Sequence, residues 1–205
     1  MESYVTIRHH ASFEYEDRKS IFIGEAMPVS TEEEALSFIE SVKKRFPDAR
    51  HHVYAYVLRE NSIMRFTDDR EPQGTAGMPV LDAIRKRGIT DTAIVVTRYF
   101  GGTLLGTGGL VRAYSAAAIG ALEAAEVITY DTYVTLTIDT TYSDYQKLGP
   151  IFAECGYRSE DVRYTDKVIL TGSIRKASVD DLTDKIVQTT SGRAKIEIID
   201  EKFDF

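Results

Sequence analysis

A glycine-rich connection in the middle of the chain contains residue types that could form an anion-binding site. Ile94–Val96 is a β-branched run typical of a buried strand, and an amphipathic helical pattern begins at Leu110. Glycines allow sharp turns and close approach of a ligand, and the free N–H groups of a helix N-terminus attract anions. Arg98 and Arg112, at the two ends of the connection, could add charge-assisted hydrogen bonds to a phosphate. The glycines are Gly101, Gly102, Gly106, Gly108 and Gly109.

The spacing of these glycines excludes two familiar nucleotide-binding motifs. No Gly-Lys-Ser or Gly-Lys-Thr follows them, and no Gly-x-Gly-x-x-Gly dinucleotide fingerprint can be placed in the segment. The alternative to an anion site is that the glycines serve tight turns and close strand–helix packing. The neighbouring Tyr99, Phe100 and Tyr114 could stack on bases, but aromatic side chains are mostly buried, so we expect core packing.

A second group of residues could perform acid–base or metal chemistry. It consists of His51 and His52 together with Asp68, Asp69 and Glu71. Because adjacent residues of a strand point to opposite faces, we expect only one of the two histidines to line a site. Paired aspartates at the end of a strand are also ordinary turn residues, so the pattern is only a weak catalytic candidate.

Other catalytic and cofactor motifs are missing from the sequence. There is no His-Glu-x-x-His, no pair of Cys-x-x-Cys motifs and no Gly-x-Ser-x-Gly. Cys155, the single cysteine, ends an apolar helical pattern before Gly156, which is typical of a buried structural thiol. We therefore predict no metal site and no cofactor.

The elements that would position these groups are visible as apolar patterns in residues 1–130. Ser30 and Glu33 form a capping box that predicts a helix ending at Pro47. A second helix is predicted from Pro79 to Arg87. Strand patterns are found at Tyr4–Ile7, Ser20–Ala26, His52–Leu58, Ile63–Phe66 and Ile94–Val96.

A different pattern follows in residues 131–205, which we predict to be a second domain. One helix is predicted over Ser143–Cys155, with Gly149-Pro150 expected to kink or divide it, and another after Ser178, which with Asp181 resembles a helix cap. The resulting order, βαββαβ, is that of a ferredoxin-like fold. The strand patterns are at Tyr133–Asp139, Tyr157–Tyr164, Val168–Ile174 and Ala194–Ile199.

The composition of the 205-residue chain narrows the class of its partners. Its formal charge of −7 argues against broad, non-specific binding to nucleic acid, so any contact with RNA should be local and sensitive to salt. No apolar run approaches the length of a membrane span, and no signal-peptide core is visible. With one cysteine there is no internal disulfide, which fits a cytoplasmic protein.

Four segments, in order, resemble the blocks of the IMPACT family, whose bacterial branch is called the YigZ family. The central signature is Arg98-Tyr-Phe-Gly-Gly-x-x-Leu-Gly-x-Gly-Gly-Leu-Val-Arg-Ala-Tyr114. The others are Arg18-Lys-Ser-x-Phe22-Ile, Ala49-Arg-His-His-Val-Tyr-Ala-Tyr56 and Asp68-Asp-x-Glu-Pro-x-Gly-Thr-Ala-Gly77. The last block departs from the family at Arg70, where relatives usually carry glycine.

The resemblance implies an α+β protein of two domains. Residues 1–130 would form an Impact-type domain like the second domain of ribosomal protein S5, and residues 131–205 a ferredoxin-like domain. It also implies a role near translation, since eukaryotic relatives regulate an amino-acid-starvation kinase pathway through a protein partner. We therefore expect a non-enzymatic, translation-associated regulator that binds RNA, the ribosome or a linked protein through the Arg98–Arg112 surface. The alternative is a small-molecule hydrolase with a His/Asp/Glu site.

Overall fold

The computed structural model describes residues 3–205, which form two compact units with an antiparallel sheet in each. One unit comprises Tyr4–Thr129, and the other is built from residues 130–205. Helices and antiparallel strands contribute to both units, so the predicted α+β class is confirmed. Among the described residues, no helix has the length and apolar character needed to cross a bilayer.

The first unit is built on a five-stranded antiparallel sheet. The unit has six strands, which in chain order are β1 (Tyr4–Ile7), β2 (Ala11–Asp17), β3 (Ser20–Pro28), β4 (His51–Val57), β5 (Met64–Thr67) and β6 (Thr92–Tyr99). The sheet has the order β2-β3-β6-β4-β5, and β1 lies outside it. Its helices are α1 (Glu32–Arg45), α2 (Gly77–Arg85) and α3 (Gly106–Ala124).

Strand β6 lies at the centre of this sheet and is buried on both faces. Ala93 and Val95 belong to the apolar cluster that includes α1, whereas Ile94 and Val96 belong to the cluster that includes α2 and α3. Because all four side chains are fully buried, a continuous β-branched run is required instead of an alternating one. The end of β6 therefore delivers Arg98 from a rigid strand.

Helix α3 approaches the sheet closely because the contact is made by very small residues. A Cβ atom added at Gly24 of β3 would lie 2.4 Å from the carbonyl oxygen of Ala117. Ala113, Ala117 and Ala121 are completely buried on the same face of the helix. This packing fixes the position of the N-terminus of α3 relative to the strands.

Two details of the first unit differ from the sequence prediction. Helix α1 is capped by Thr31, whose Oγ1 accepts a hydrogen bond from the Glu34 amide, so the capping box is one residue later than predicted. The reason is that the Val29 amide bonds to the Asp91 carbonyl and keeps the chain extended beyond β3. Strand β2 was not predicted, because its outward residues are exposed and its sequence is largely polar.

The second unit has the predicted ferredoxin-like topology. Its elements are β7 (Val127–Thr140), α4 (Tyr142–Cys155), β8 (Arg158–Tyr164), β9 (Val168–Arg175), α5 (Val179–Thr190) and β10 (Lys195–Asp204). Within this unit the strands are all antiparallel, in the order β10-β7-β9-β8. Leu136 and Ile138 of β7 pack with Leu148 of α4 and Leu182 of α5 in a single apolar core.

Of the two outcomes expected at Gly149-Pro150, a kink or a division of the helix, the division does not occur. The helix is continuous over Tyr142–Cys155 with Pro150 inside it. Both Gly149 and Pro150 are exposed, so water can satisfy the carbonyl group that a proline leaves without a helical partner.

The cap predicted from Ser178 and Asp181 has the right position, but its side-chain hydrogen bond is not made. Ser178 occupies the N-cap position of α5, but its side chain makes no capping hydrogen bond. Asp181 accepts a hydrogen bond from Lys185 Nζ at 2.8 Å and another from Cys155 Sγ at 3.3 Å. Burial and this hydrogen bond raise the pKa of the Cys155 thiol, which agrees with a structural role, although the side chain is only half-buried.

A buried carboxylate joins α4 to the segment that follows α5. The Asp144 side chain is fully buried and accepts two hydrogen bonds from Arg193, at 2.9 and 2.8 Å, and one from Lys147 at 3.1 Å. The hydrogen bonds from Arg193 and Lys147 hold the pKa of Asp144 well below its ordinary value of 3.8.

We expect Asp144→Asn to lower the melting temperature at pH 7. A carboxylate whose pKa is depressed in the folded state stabilises that state above its ordinary pKa, and this contribution is lost as the pH falls through the native pKa. The difference in melting temperature between wild type and variant should therefore narrow below about pH 4. Asp184→Asn, in an exposed position of α5, is the matched control and should show no such trend. A difference independent of pH would contradict the assignment.

Candidate functional site

A pocket of about 460 Å³ opens at the N-terminus of α3, where the glycine-rich connection ends. Its polar lining comes from β4, β6 and the loop after β5, and its apolar lining from the connection itself. The lining includes Arg50, His51, Glu71, Arg98, Phe100 and Leu104. Residues of both groups singled out in the sequence thus meet at one place.

Two residues that line this pocket, Glu71 and Arg98, form a buried cluster with Tyr114. Arg98 Nη1 donates to Glu71 Oε1 at 2.5 Å, and the Tyr114 hydroxyl donates to the same oxygen at 2.8 Å. The side chains of Arg98 and Glu71 are only 7% and 5% exposed. Burial, followed by the charge and hydrogen bond of Glu71, raises the pKa of Tyr114, so its phenol stays protonated and donates.

The two histidines have different surroundings, as strand alternation predicts. His51 lines the pocket; its Nδ1 donates to the Asp69 carbonyl at 2.8 Å, and its Nε2 lies 3.9 Å from Glu71 Oε1. In a neutral His51 ring this arrangement leaves the lone pair on Nε2. His52 is buried, and its Nε2 donates to the carbonyl of Phe46 at the end of α1.

The two aspartates organise the loop between β5 and α2. Asp68 accepts hydrogen bonds from the amides of Gly74, Ala76 and Gly77, at 2.9, 3.1 and 2.8 Å, and so caps the beginning of α2. Asp69 accepts the His52 amide at 2.6 Å. Both carboxylates are therefore occupied by backbone donors.

Arg70 adopts the left-handed backbone conformation that glycine prefers. Its φ is +68°, and that of the preceding Asp69 is +39°. The guanidinium donates from Nη2 to the carbonyl of Arg50 at 2.9 Å and lies 3.7 Å from the Asp69 carboxylate. At this position the chain therefore carries a bulky residue in a backbone conformation that favours glycine.

The five glycines of the connection have different structural tasks. Gly102 and Gly106 have positive φ, +86° and +71°. A Cβ atom at Gly101 would lie within 2.4 Å of the backbone of Lys19 and Ser20 in the β2–β3 turn. Gly108 is exposed and Gly109 buried, both in the first turn of α3. Gly101 and Gly109 therefore serve close packing, since a Cβ atom at Gly109 would lie 2.9 Å from Leu105 Cβ, whereas Gly106 and Gly108 leave the helix N-terminus open.

The exposed cations near the pocket form a group that we call the rim arginines: Arg18, Arg50, Arg70 and Arg112. Arg18 donates to the Leu104 carbonyl at 3.4 Å, and a Cβ atom at Gly108 would lie 3.8 Å from Arg112 Nη1. Among residues 3–205, no carboxylate comes within 4.0 Å of the guanidinium of Arg18, Arg50 or Arg112. The sequence alone predicts only Arg112 of this group as a phosphate-binding residue. The other three arginines come close to it only in the folded structure.

The aromatic residues of the connection divide into two classes. Tyr114 is fully buried, as expected, but Phe100 is 47% exposed, so the expectation of core packing is wrong for it. The ring of Phe100 lies beside the Arg98 guanidinium, whose carbon atom is 5.8 Å from the ring centroid. In the described part of the chain, no cluster of three or more His, Cys, Asp or Glu side chains has the arrangement of a metal site.

We expect Glu71→Gln to lower the free energy of unfolding of the first unit by about 3 kcal/mol, because it leaves the charge of Arg98 buried without a counter-ion. Urea denaturation is the measurement. The double variant Glu71→Gln/Arg98→Met should recover part of this loss, whereas additive losses would contradict a coupled ion pair.

We expect Arg70→Gly to raise the free energy of unfolding by about 1 kcal/mol, because glycine adopts a positive φ without steric cost. Arg70→Ala keeps the Cβ atom and should show no gain in the same denaturation experiment. A Gly variant no more stable than the Ala variant would show that the backbone of this loop is not strained.

Comparison with known proteins extends over nearly the whole chain. Residues 18–122 match the Impact N-terminal domain, and residues 138–193 match a domain of unknown function, DUF1949. The IMPACT family member YvyE of Bacillus subtilis (strain 168) is 35% identical, over 96% of this chain and 91% of the relative. The IMPACT family member YigZ of Escherichia coli (strain K12) is 34% identical, over 98% of this chain and 100% of the relative.

The tertiary structure has a solved counterpart as well. A crystal structure described as that of a hypothetical protein shares 31% sequence identity with this chain at a TM-score of 0.60, and the match covers 98% of both chains. The family blocks Arg18–Phe22, Ala49–Tyr56, Asp68–Gly77 and Arg98–Tyr114 all fall inside the matched N-terminal domain. The chain therefore belongs to the IMPACT family.

Proposed function

We propose that this chain is a translation-associated regulator without catalytic activity that binds RNA, and through RNA the ribosome, at the N-terminus of α3. The observation that carries the proposal is the grouping of the rim arginines around an open helix N-terminus in a chain with a net charge of −7. Such a local concentration of positive charge supplies phosphate contacts that the overall composition does not.

The rim arginines are suited to phosphates because three of them lack a nearby carboxylate. Arg18, Arg50 and Arg112 are exposed, so their guanidinium groups can donate to phosphate oxygens without first breaking an ion pair. The positive end of the α3 dipole adds to the same potential. Arg98, by contrast, is committed to Glu71, so its contribution is to hold the pocket together.

The pocket beside the rim is suited to a base. Phe100 is an exposed aromatic ring next to the arginines, and Leu104 is 81% exposed. Stacking on an aromatic side chain holds bases of single-stranded RNA with little sequence preference. We infer single-stranded or looped RNA as the ligand, since a paired base is not available for stacking.

A small-molecule hydrolase is the weaker candidate. His51 lines the pocket and has a partly exposed ring, which favours it as a proton acceptor. However, Asp68 and Asp69 are occupied by backbone amides, and Glu71 accepts hydrogen bonds from Arg98 and Tyr114. No carboxylate of the group is left to activate water or to orient His51 from its Nδ1 side.

We expect the triple variant Arg18→Ala/Arg50→Ala/Arg112→Ala to bind a fluorescein-labelled single-stranded RNA at least tenfold more weakly than the wild type in a fluorescence anisotropy titration. Removing phosphate contacts should also reduce the salt dependence of the affinity, by about one unit of slope per contact. Co-sedimentation with ribosomes across a salt series should show the same order of affinities.

Arg163→Ala is the matched control, because Arg163 is exposed in the second unit and paired with Asp161. It should leave RNA affinity unchanged. Equal affinities for wild type and triple variant, or binding of the wild type that does not respond to salt, would overturn the proposal.

A further inference from the structure

The second unit contains a cavity of about 450 Å³. It lies where α4 ends and α5 begins, and it is lined among others by Tyr133, Cys155, Arg158, Arg175 and Ser178. The polar groups in this lining distinguish the cavity from an ordinary packing gap.

Two arginines converge on one tyrosine in this cavity. The guanidinium carbon of Arg158 lies 5.6 Å from the centroid of the Tyr133 ring, and Arg175 Nε lies 3.5 Å from the Tyr133 hydroxyl. Among residues 3–205, neither guanidinium has a carboxylate within 4.0 Å. Two like charges held around one ring without counter-ions repel each other, and a bound anion relieves this repulsion.

The nearby carboxylates do not neutralise the pair. Glu154 lines the cavity, but its carboxylate accepts a hydrogen bond from Lys185 Nζ at 3.0 Å. Two further carboxylates interact electrostatically with the arginines: Asp131 with Arg175, and Asp204 with Arg158. Both carboxylates lie more than 4.0 Å from the guanidinium groups. Neither arginine of the cavity therefore makes an ion pair with a carboxylate of residues 3–205.

Ser178 supplies an additional hydrogen-bond donor at the same cavity. Its position and its neighbour Asp181 are typical of a helix cap, yet its hydroxyl makes no capping bond. A residue that departs from a strong local preference is frequently retained for a different contact. The hydroxyl is free to donate to a ligand in the cavity that it lines.

From these observations we propose that the cavity binds a small molecule through an oxyanion, either a phosphate or a carboxylate group. Arg158 and Arg175 would donate charge-assisted hydrogen bonds to it, and Ser178 would add a neutral one. The volume of the cavity lies in the range of small-molecule sites. This site shares no residue with the proposed RNA surface, since all of its residues belong to the second unit.

The test is a titration of the full chain with inorganic phosphate and, separately, with succinate, followed by backbone amide chemical shifts. We expect saturable shifts at Tyr157, Arg158 and Ser178 with a dissociation constant of about 1 mM or lower for at least one of the two anions. Glycerol, which is uncharged, should produce none. Saturation by phosphate alone identifies phosphorylated ligands, and saturation by succinate alone identifies carboxylic acids.

The variants Arg158→Met and Arg175→Met should each weaken binding at least fivefold, whereas Arg163→Met on the same strand β8 should not change it. Both arginines are exposed, so these variants should fold. Shifts at Gly106–Gly109 that survive in Arg158→Met would report anion binding at α3 and not at this cavity. Absence of saturable shifts near Ser178 with both anions, or equal weakening by Arg163→Met, would overturn the proposal.

Discussion

The arrangement of the first unit around its pocket depends on the burial of the charge of Arg98. A guanidinium that is almost inaccessible to water needs a counter-charge, and Glu71 provides it from a loop far along the sequence. Tyr114 of α3 donates to the same carboxylate oxygen. A strand, a loop and a helix are thereby held in one arrangement. Arg98 Nε is also buried, and it has no hydrogen-bond partner among residues 3–205.

The buried arginine and the exposed arginines near the pocket therefore have different roles. Arg98 is used inside the protein, where it positions the pocket, and exposed arginines around the pocket remain available to a ligand. Because Gly101 lies against the β2–β3 turn, Arg18 of that turn comes to the same surface as Arg112. The proposed RNA surface is therefore a product of close backbone packing: a side chain at Gly101 would push the turn and its arginine away.

The second unit combines a regular core with an irregular edge. Its apolar cluster and its antiparallel sheet follow the ferredoxin-like pattern closely, and Asp144 with Arg193 secures the ends of its two helices. In contrast, the cavity between the end of α4 and the start of α5 is lined by two arginines that make no ion pair among residues 3–205 and by a serine whose hydroxyl does not cap its helix. When several residues that depart from local structural preferences lie at one cavity, they indicate a binding site. The same departures scattered over a surface would not.

The sequence by itself determined the α+β class, the βαββαβ order and the double-sided burial of β6, because apolar periodicity and β-branched runs act locally. It also brought His51, Glu71 and Arg98 forward as candidates. Only the tertiary structure decided their roles, since the partner of Arg98 lies 27 residues away and that of Tyr114 lies 43 residues away. The polar strand β2, the absent cap at Ser178 and the grouping of Arg18 with Arg112 likewise depend on contacts between distant segments, which no local pattern encodes.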